Sequence, residues 1–285
     1  FGTQPVVKLK DQYGNDCTTG LSASSNVVAT AKAGTGSWTI GGTTTKAASA
    51  GTATFTDLTC TLTTVGNGAM TFTVGGVSLD SSNFTIPLNS GKTLTADTTN
   101  NSVDNDLEIT FAEDATYRSA ITGITYNGNT LTASQYDTTQ NGKIVLKPSV
   151  AGNVYLRTPG TANVVISTTG YNPSTVSQTI TAGVVTSLEV STQPVPGTAS
   201  GDAFGTQPVV KLKDQYGNDC TTGLSASSNV VATAKAGTGT WTIGGTTTKG
   251  ASTGTATFTD LTCTLTTEGN GAMTFTVGGV LSPTL

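Results

Sequence analysis

The fold of this chain is decided by a short stretch that occurs twice, TQPVVKLKDQYGN at residues 3–15 and again at residues 206–218. In its first half, apolar and lysine side chains alternate, which is the period of a β-strand with one buried face. Its second half combines Asp, Gly and Asn, which favour turns because they accept or stabilise unusual backbone angles. A strand followed at once by a tight turn predicts an all-β domain.

The repeat extends far beyond this stretch. Residues 1–77 recur at residues 204–280 with four changes, which are Ser37 to Thr240, Ala47 to Gly250, Ala50 to Thr253 and Val65 to Glu268. Near-identity over such a length is typical of an array of duplicated modules. The period of 203 residues is too long for a solenoid unit, so each period should hold two domains of about 100 residues.

Short alternating segments separated by Gly-rich turns predict tandem immunoglobulin-like β-sandwiches, the middle one with a short inserted helix. We divide the chain into a first A module at residues 1–90, a B module at residues 91–183 and a second A module at residues 184–285. The helix is expected at residues 112–121, with Glu113 and Asp114 in its first turn, where the helix dipole favours acidic side chains.

Each A module is expected to lack one edge strand. Residues 186–194 alternate like a first strand before the second copy, and nothing equivalent precedes Phe1. Residues 84–88 alternate like a last strand after the first copy, whereas the second copy stops at Leu285. An uncovered sheet edge invites pairing. Two interpretations stay open: the chain is a window cut from a longer array, or a neighbouring subunit donates the missing strand.

Composition narrows the classes of function. Only 11 % of the residues are charged and the net charge is −4, so we expect no surface that binds nucleic acid. No window approaches 18 consecutive apolar residues, so we expect no membrane insertion, and the chain is interpreted as a mature fragment. Histidine is absent, which removes the commonest general base. Neighbouring carboxylates such as Glu113 and Asp114 are ordinary surface features, so we predict that the chain is not an enzyme.

Cysteines occur as one pair in each A module, Cys17 with Cys60 and Cys220 with Cys263, always 43 residues apart. The spacing matches neither a zinc site nor a redox motif. One pair per module in a secreted setting favours an intramodule disulfide, which would stabilise each fold by roughly 4 kcal/mol. The alternative is a pair of reduced, buried thiols.

Two clusters of oxygen-bearing side chains are candidates for a structural calcium ion, and no other cofactor is expected. The first consists of Asp97, Asp104, Asn105 and Asp106. It lies near the start of the B module, where an ion would stiffen the linker. The second consists of Asp11, Asn15 and Asp16. Its spacing differs from that of an EF-hand loop, and hydrogen bonding within the turn explains it adequately.

The stretch at residues 3–15, together with ATFTDL at residues 53–58, resembles the bacterial Ig-like repeats of large surface proteins and adhesins related to invasin and intimin. The resemblance covers nearly all of both A modules. It implies an immunoglobulin-like fold that serves as a stalk, and it says little about a ligand.

The string LEITFAEDATYRSAITGI at residues 107–124, with STTGY at residues 167–171, resembles the Shr-like haemoglobin-interacting module of haem-uptake receptors. The same module type occurs in Gram-positive S-layer and other surface proteins, and the resemblance covers most of the B module. It points to Tyr117 beside Arg118 as a candidate binding pair, because the B module has no His, Cys or Met that could ligate haem. A tyrosine that only packs is the alternative.

These observations predict an extracellular cell-surface protein, a structural repeat of a surface layer, stalk or filament. Neighbouring copies would assemble into a homo-oligomer or polymer, because repetition extends reach and multiplies weak contacts. The alternative function is that of an adhesin or binding module for a host haem protein or a glycan.

Overall fold

The computed structural model describes residues 1–62, 66–223, 225–265 and 270–281, and nearly all of its regular structure is β-strand. The strands form small antiparallel sheets around apolar cores, so the predicted all-β fold of tandem β-sandwiches is confirmed. Among these residues the longest helix has five residues, and no helix could cross a membrane. Val65, Glu268 and Leu285, named above, lie outside the described residues.

Ten strands are described in the first A module. They are β1 (Val6–Lys8), β2 (Asn26–Ala31), β3 (Trp38–Gly41), β4 (Thr45–Ala47), β5 (Thr52–Thr54), β6 (Thr59–Leu62), β7 (Gly66–Gly68), β8 (Met70–Val74), β9 (Val77–Asp80) and β10 (Phe84–Ile86). The largest sheet has the order β4-β2-β8-β9, while β1 pairs with β5, β3 with β6 and β7 with β10. A 3₁₀ turn at Leu21–Ser24 precedes β2.

One apolar core holds the sheets of the first A module together. Along β2 the side chains of Val27 and Ala29 are buried while their neighbours face solvent, as the alternation of apolar and polar residues requires. The rings of Phe55 and Phe72 meet inside this core with their centroids 5.8 Å apart. Burial of side chains of this size is the main favourable contribution to folding.

The B module contains eight described strands and one helix. They are β11 (Leu94–Thr95), β12 (Leu107–Phe111), α1 (Ala115–Ser119), β13 (Ile121–Tyr126), β14 (Asn129–Thr130), β15 (Tyr136–Asp137), β16 (Lys143–Leu146), β17 (Gly160–Thr168) and β18 (Ser174–Ile180). The strands form two sheets, with the orders β11-β12-β16-β15 and β14-β13-β17-β18. A 3₁₀ turn at Tyr155–Arg157 precedes β17.

The helix of the B module is half as long as the sequence predicts. It begins at Ala115, so Glu113 and Asp114 precede it, and the prediction that they occupy its first turn is wrong. The carboxylate of Glu113 instead accepts a hydrogen bond from the amide of Gly142. This pairing across 29 residues holds the backbone before α1 in a loop.

The second A module contains nine described strands. They are β19 (Ser187–Thr192), β20 (Val209–Lys213), β21 (Asn229–Ala234), β22 (Trp241–Gly244), β23 (Thr248–Gly250), β24 (Thr255–Thr257), β25 (Thr262–Leu265), β26 (Met273–Val277) and β27 (Val280–Leu281). They form sheets with the orders β19-β20-β24 and β23-β21-β26-β27, and β22 pairs with β25.

Both edge strands that the sequence predicts are present. The first strand of the second A module is β19, which pairs antiparallel with β20. The last strand of the first A module is β10, which pairs with β7 and is shorter than the predicted segment. Donation of a missing strand by a neighbouring subunit stays a prediction.

The chain divides into two compact units. One contains Phe1–Lys92 with Ala115–Thr122 and Ile166–Ser174, and the other contains Thr93–Asp114 with Gly123–Val165 and Thr175–Leu285. The second unit therefore includes most of the B module and the whole second A module, and the site described below lies within it. The division into three modules at residues 90 and 183 stays a prediction.

Candidate functional site at the junction of the B module and the second A module

The chain leaves β18 and enters β19 through a short linker whose amides are bound by side chains on both sides. The amide of Gly183 donates to a carboxylate oxygen of Asp214 at 3.1 Å, and the amide of Val184 donates to Asp104 at 2.7 Å. A backbone amide that donates to a fixed side-chain acceptor is held in place by that hydrogen bond. The linker is therefore part of the folded structure of this unit.

Asp214 organises the junction from the second A module. Its side chain is 1 % exposed, and it accepts the amides of Tyr216 at 2.9 Å and of Asn218 at 3.0 Å, which closes the repeated Asp-Gln-Tyr-Gly-Asn turn. The same carboxylate accepts the amide of Gly183. Hydrogen bonds to a charged acceptor are stronger than those between neutral groups. One buried carboxylate thus ties the turn to the linker.

Asp104 binds the linker from the B module. One of its oxygens accepts the amide of Val184, and the other accepts the side-chain amide of Gln215 at 2.7 Å. Gly183 passes so close to this carboxylate that a Cβ atom there would collide with it. A larger residue at this position would therefore push the Asp104 carboxylate away from its hydrogen bonds to Val184 and Gln215.

Arg157, at the end of a 3₁₀ turn, provides a second connection. Its guanidinium carbon lies 4.7 Å from the ring centroid of Tyr216, and its backbone carbonyl accepts Asn218 Nδ2 at 2.8 Å. The guanidinium also donates to the carbonyls of Pro148 and Val150, which fixes its plane. A cation held over an aromatic ring contributes about 0.5–2 kcal/mol, depending on how far it is removed from water.

Cys220 lies beside the linker and is fully buried. Its Sγ is 3.7 Å from the carbonyl oxygen of Gly183, to which it donates. Burial, together with the smaller effects of the carboxylates of Asp214, Asp104 and Asp219, raises the pKa of this thiol to about 11. A thiol held in its neutral form reacts slowly with electrophiles, because the thiolate is the nucleophile.

Beyond the linker, β19 completes one sheet of the second A module. It places Leu188 opposite Leu212 and Val190 opposite Val210, with a register shift before Thr192. Leu188 is 2 % exposed and shares one core with Val210 and Leu212. The linker and the strand therefore anchor the same segment by polar and apolar contacts.

A small charge network flanks the strand pair. Lys213 lies between Asp219 and Glu189, and these two carboxylates raise its pKa, with Asp219 contributing more. Lys213 and Lys211 in turn lower the pKa of Asp219. Partly exposed pairs of this kind add little to stability. They do favour the register in which opposite charges face each other across the strands.

Three of the four predicted calcium ligands, Asp97, Asp104 and Asn105, make hydrogen bonds within the fold. Asp97 accepts hydrogen bonds from the backbone amides of Thr99 and Glu108 at 3.0 and 3.1 Å. Burial raises the pKa of this carboxyl, but the hydrogen bonds that it accepts, including those from Glu108 and Thr99, together outweigh burial, so the pKa is lowered. Asp104 binds the linker, and Asn105 Nδ2 donates to a serine hydroxyl. No group of three or more His, Cys, Asp or Glu side chains in residues 1–62, 66–223, 225–265 and 270–281 could hold a metal. Calcium at Asp97, Asp104, Asn105 and Asp106 stays a prediction without structural support.

The predicted disulfides are absent, and all four cysteines are free thiols. Cys220 lies at the linker, where it contacts Gly183, whereas Cys263 belongs to β25 and lines a cavity with Trp241 and Met273. Cys17 likewise follows β1, and Cys60 lies on β6 opposite Ile40. The structure therefore does not support the predicted disulfides.

Tyr117 and Arg118 lie on α1. Tyr117 is fully buried, its hydroxyl donates to Ser174 Oγ at 2.8 Å, and its ring packs edge-on against Tyr171 at 5.1 Å. Arg118 is in the last turn of the helix and half-buried. This placement agrees with a packing role for Tyr117. The binding role of the pair stays a prediction.

Sequence reasoning missed most of the junction. Arg157 and Asp104 gave no signal as junction residues, because their partners Tyr216 and Gln215 lie 59 and 111 residues away in the chain. One local signal was available, since the repeated turn carries a Tyr and a Gln that its own hydrogen bonding does not need. Exposed side chains that recur without a local role indicate a binding surface.

Comparison with known proteins supports the assignment of the B module. Residues 94–181 match the sequence family described as "Heme-binding protein Shr-like, Hb-interacting domain". The match covers nearly all of the B module and neither A module. A comparison with curated protein sequences finds no match.

Among solved structures, the chain is similar to the S-layer protein rSbsC, with 17 % identity, a TM-score of 0.31 and coverage of 98 % of this chain and 37 % of that one. It is also similar to the Bacteroides ovatus mixed-linkage glucan utilization locus protein SGBP-B, solved with a mixed-linkage heptasaccharide, with 13 % identity, a TM-score of 0.22 and coverage of 99 % and 60 %. A segment of titin gives 10 % identity, a TM-score of 0.29 and coverage of 98 % and 94 %.

The chain thus spans about a third of the S-layer protein and three fifths of the glucan-locus protein. At these TM-scores the likenesses support no inference about this chain. The all-β architecture rests on the strands and sheets described above.

Proposed function

We propose that this chain is a structural repeat of an extracellular surface layer, stalk or filament, in which fixed joints space the modules from the cell. The junction carries this proposal, because Asp104, Asp214 and Gly183 hold the linker within the fold. A Gly/Ser-type linker would leave the angle between modules undefined. A joint fixed by hydrogen bonds from both sides gives a defined spacing instead.

The duplication supports the same function. Two copies that differ at four of 77 positions extend an assembly without changing its surface chemistry. We propose that neighbouring copies assemble into a homo-oligomer or polymer and that the chain is not an enzyme. The match of residues 94–181 to a domain family of haem-binding proteins fits a cell-surface location.

The matched tyrosines of the two repeats test the joint. Tyr216→Ala removes the ring under the Arg157 guanidinium and is expected to loosen the junction, whereas Tyr13→Ala changes an 80 % exposed side chain. Small-angle X-ray scattering and ¹⁵N relaxation should show greater independent motion of the B module and the second A module in Tyr216→Ala only. Equal behaviour of the two variants, or free motion already in the parent chain, would argue against a structural joint.

A second candidate function is binding of a haem protein by the B module, and the family match favours it. The B module exposes Tyr155, the first residue of the 3₁₀ turn before β17, and Val154, which precedes it, and together they offer an apolar contact surface. If this function is correct, immobilised chain should bind haemoglobin with a Kd below about 10 µM. Val154→Ser with Tyr155→Ser should weaken that binding, while Val184→Ser, another exposed valine, should not. No binding at a concentration of about 100 µM would exclude it.

A further inference from the structure

The first A module contains the same junction residues as the second, but they are uncovered. Tyr13, which corresponds to Tyr216, is 80 % exposed, and Asp11, which corresponds to the buried Asp214, is exposed. Asp11 nevertheless closes its turn, since it accepts the amides of Tyr13 and Asn15 at 2.9 Å each. The receiving half of the junction is therefore preformed in the first A module.

An apolar groove of about 530 Å³ lies beside this turn. The apolar residues that line it include Val7, Leu9, Val27, Phe72 and Val74. On its rim Val77 is 70 % exposed, whereas the corresponding Val280 of the second A module is half-buried. Exposed apolar surface that is rimmed by polar residues marks an interaction site.

In the second A module the chain itself fills the equivalent space. There β19 sets Leu188 opposite Leu212 and Val190 opposite Val210, and both strand residues pack on the core. Leu212 and Val210 are fully buried. Their counterparts in the first A module are Leu9 and Val7, two of the residues that line the groove.

The strand pairing and the ion pairs of the two A modules also indicate that a strand is missing beside β1. In the described part of the chain β1 pairs only with β5, whereas β20 lies between β24 and β19. Lys213 binds Glu189 of β19 at 3.0 Å in addition to Asp219. The corresponding Lys10 binds Asp16 at 2.7 Å, and its position next to the open edge suits a second carboxylate on an incoming strand.

We propose that this face of the first A module is the docking site for another B-type module and its following strand, a segment with the sequence of residues 93–192. The occupant is joined ahead of Phe1 in the same polypeptide, as residues 93–203 are joined ahead of Phe204. Its arginine covers Tyr13, its linker glycine binds Asp11, and its strand fills the groove along β1. This inference rests on the proposed function of the chain as a tandem structural repeat.

Cys17 offers a direct probe of the docked state, because it lines the groove and is half-buried, whereas the corresponding Cys220 is fully buried beside its linker. The test compares the chain with an extended chain in which a second copy of residues 93–203 precedes Phe1. Both carry Cys220→Ala, since the tryptic peptides around Cys17 and Cys220 are otherwise identical. The added segment contains no cysteine.

Alkylation of Cys17 is expected to slow by at least about tenfold in the extended chain, because a covered thiol reacts only after local opening. It should approach the rate of Cys220 in the unextended chain carrying Cys17→Ala. Replacing the added counterpart of Leu188 by Asp should restore fast alkylation. Hydrogen exchange at Val6–Lys8 gives an independent readout, and unchanged alkylation of Cys263 shows that the second A module stays folded.

Equal alkylation and equal amide exchange of the two chains would overturn the proposal. So would protection of Cys17 by a free peptide of residues 182–194 without protection in the extended chain, because the occupant would then come from another molecule. Either result leaves the proposed function intact if scattering still shows a fixed junction in the second unit. A loose junction there would contradict the proposed function itself.

Discussion

Asp214→Ala is expected to lower the free energy of unfolding of the second A module by about 3 kcal/mol, because it removes a buried charged acceptor from several donors. The matched change in the first A module, Asp11→Ala, is expected to leave that module almost unchanged. Both aspartates have the same neighbours in sequence and close the same turn. Only their burial and the linker contact differ.

The reason lies in what replaces each carboxylate. Without Asp214, the amides of Gly183, Tyr216 and Asn218 lose an acceptor at a position that is 1 % exposed, where water cannot readily take its place. Without Asp11, the amides of its turn can bind water, because the whole turn is exposed. An unsatisfied buried donor costs far more than a hydrogen bond exchanged with solvent.

Thiol labelling during urea unfolding can measure the two modules separately. Tryptic peptides around Cys60 and Cys263 differ in sequence, so each reports the opening of its own module. We expect the urea midpoint of Cys263 labelling to fall in Asp214→Ala while that of Cys60 is unchanged. If the midpoint fell by a similar amount in Asp214→Ala and in Asp11→Ala, each for its own module, the turn and not its contact with the linker would determine the loss of stability.

Much of the fold was predictable because it depends on local patterns. The alternation around Val27 and Ala29 and the repeated Asp-Gly-Asn turn each act over a few residues, so strands and turns follow from neighbours in sequence. The first strand of the second A module was predictable for the same reason, since Leu188 and Val190 alternate with polar residues.

The errors and omissions all depend on contacts between distant residues. Glu113, expected in the first turn of α1, instead accepts a hydrogen bond from Gly142, a contact across 29 residues that no local propensity encodes. The disulfides were predicted from the presence of one cysteine pair per module and the secreted setting, although pairing also requires the two thiols to face each other. The junction was missed because Arg157 and Tyr216, which are in contact in the structure, lie 59 residues apart in different modules.

The second large effect on stability is expected from a substitution in strand β19. Leu188→Ala is expected to destabilise the second A module by about 2–4 kcal/mol, since it removes a buried side chain from the core and leaves a cavity against Leu212 and Val210. Val184→Ala, in the same segment but 52 % exposed, should cost little. Urea unfolding followed by labelling of Cys263 measures both.

Leu188→Ala also tests whether β19 and the linker act together. If the strand holds the linker in place, Cys220 should be alkylated faster under native conditions in Leu188→Ala and at the parent rate in Val184→Ala, since local opening then exposes the thiol. If Cys220 stays protected although the module is destabilised, the linker is held by Asp104 and Asp214 alone. The groove of the first A module would then need only the turn contacts, and an incoming strand would add stability without being required for docking.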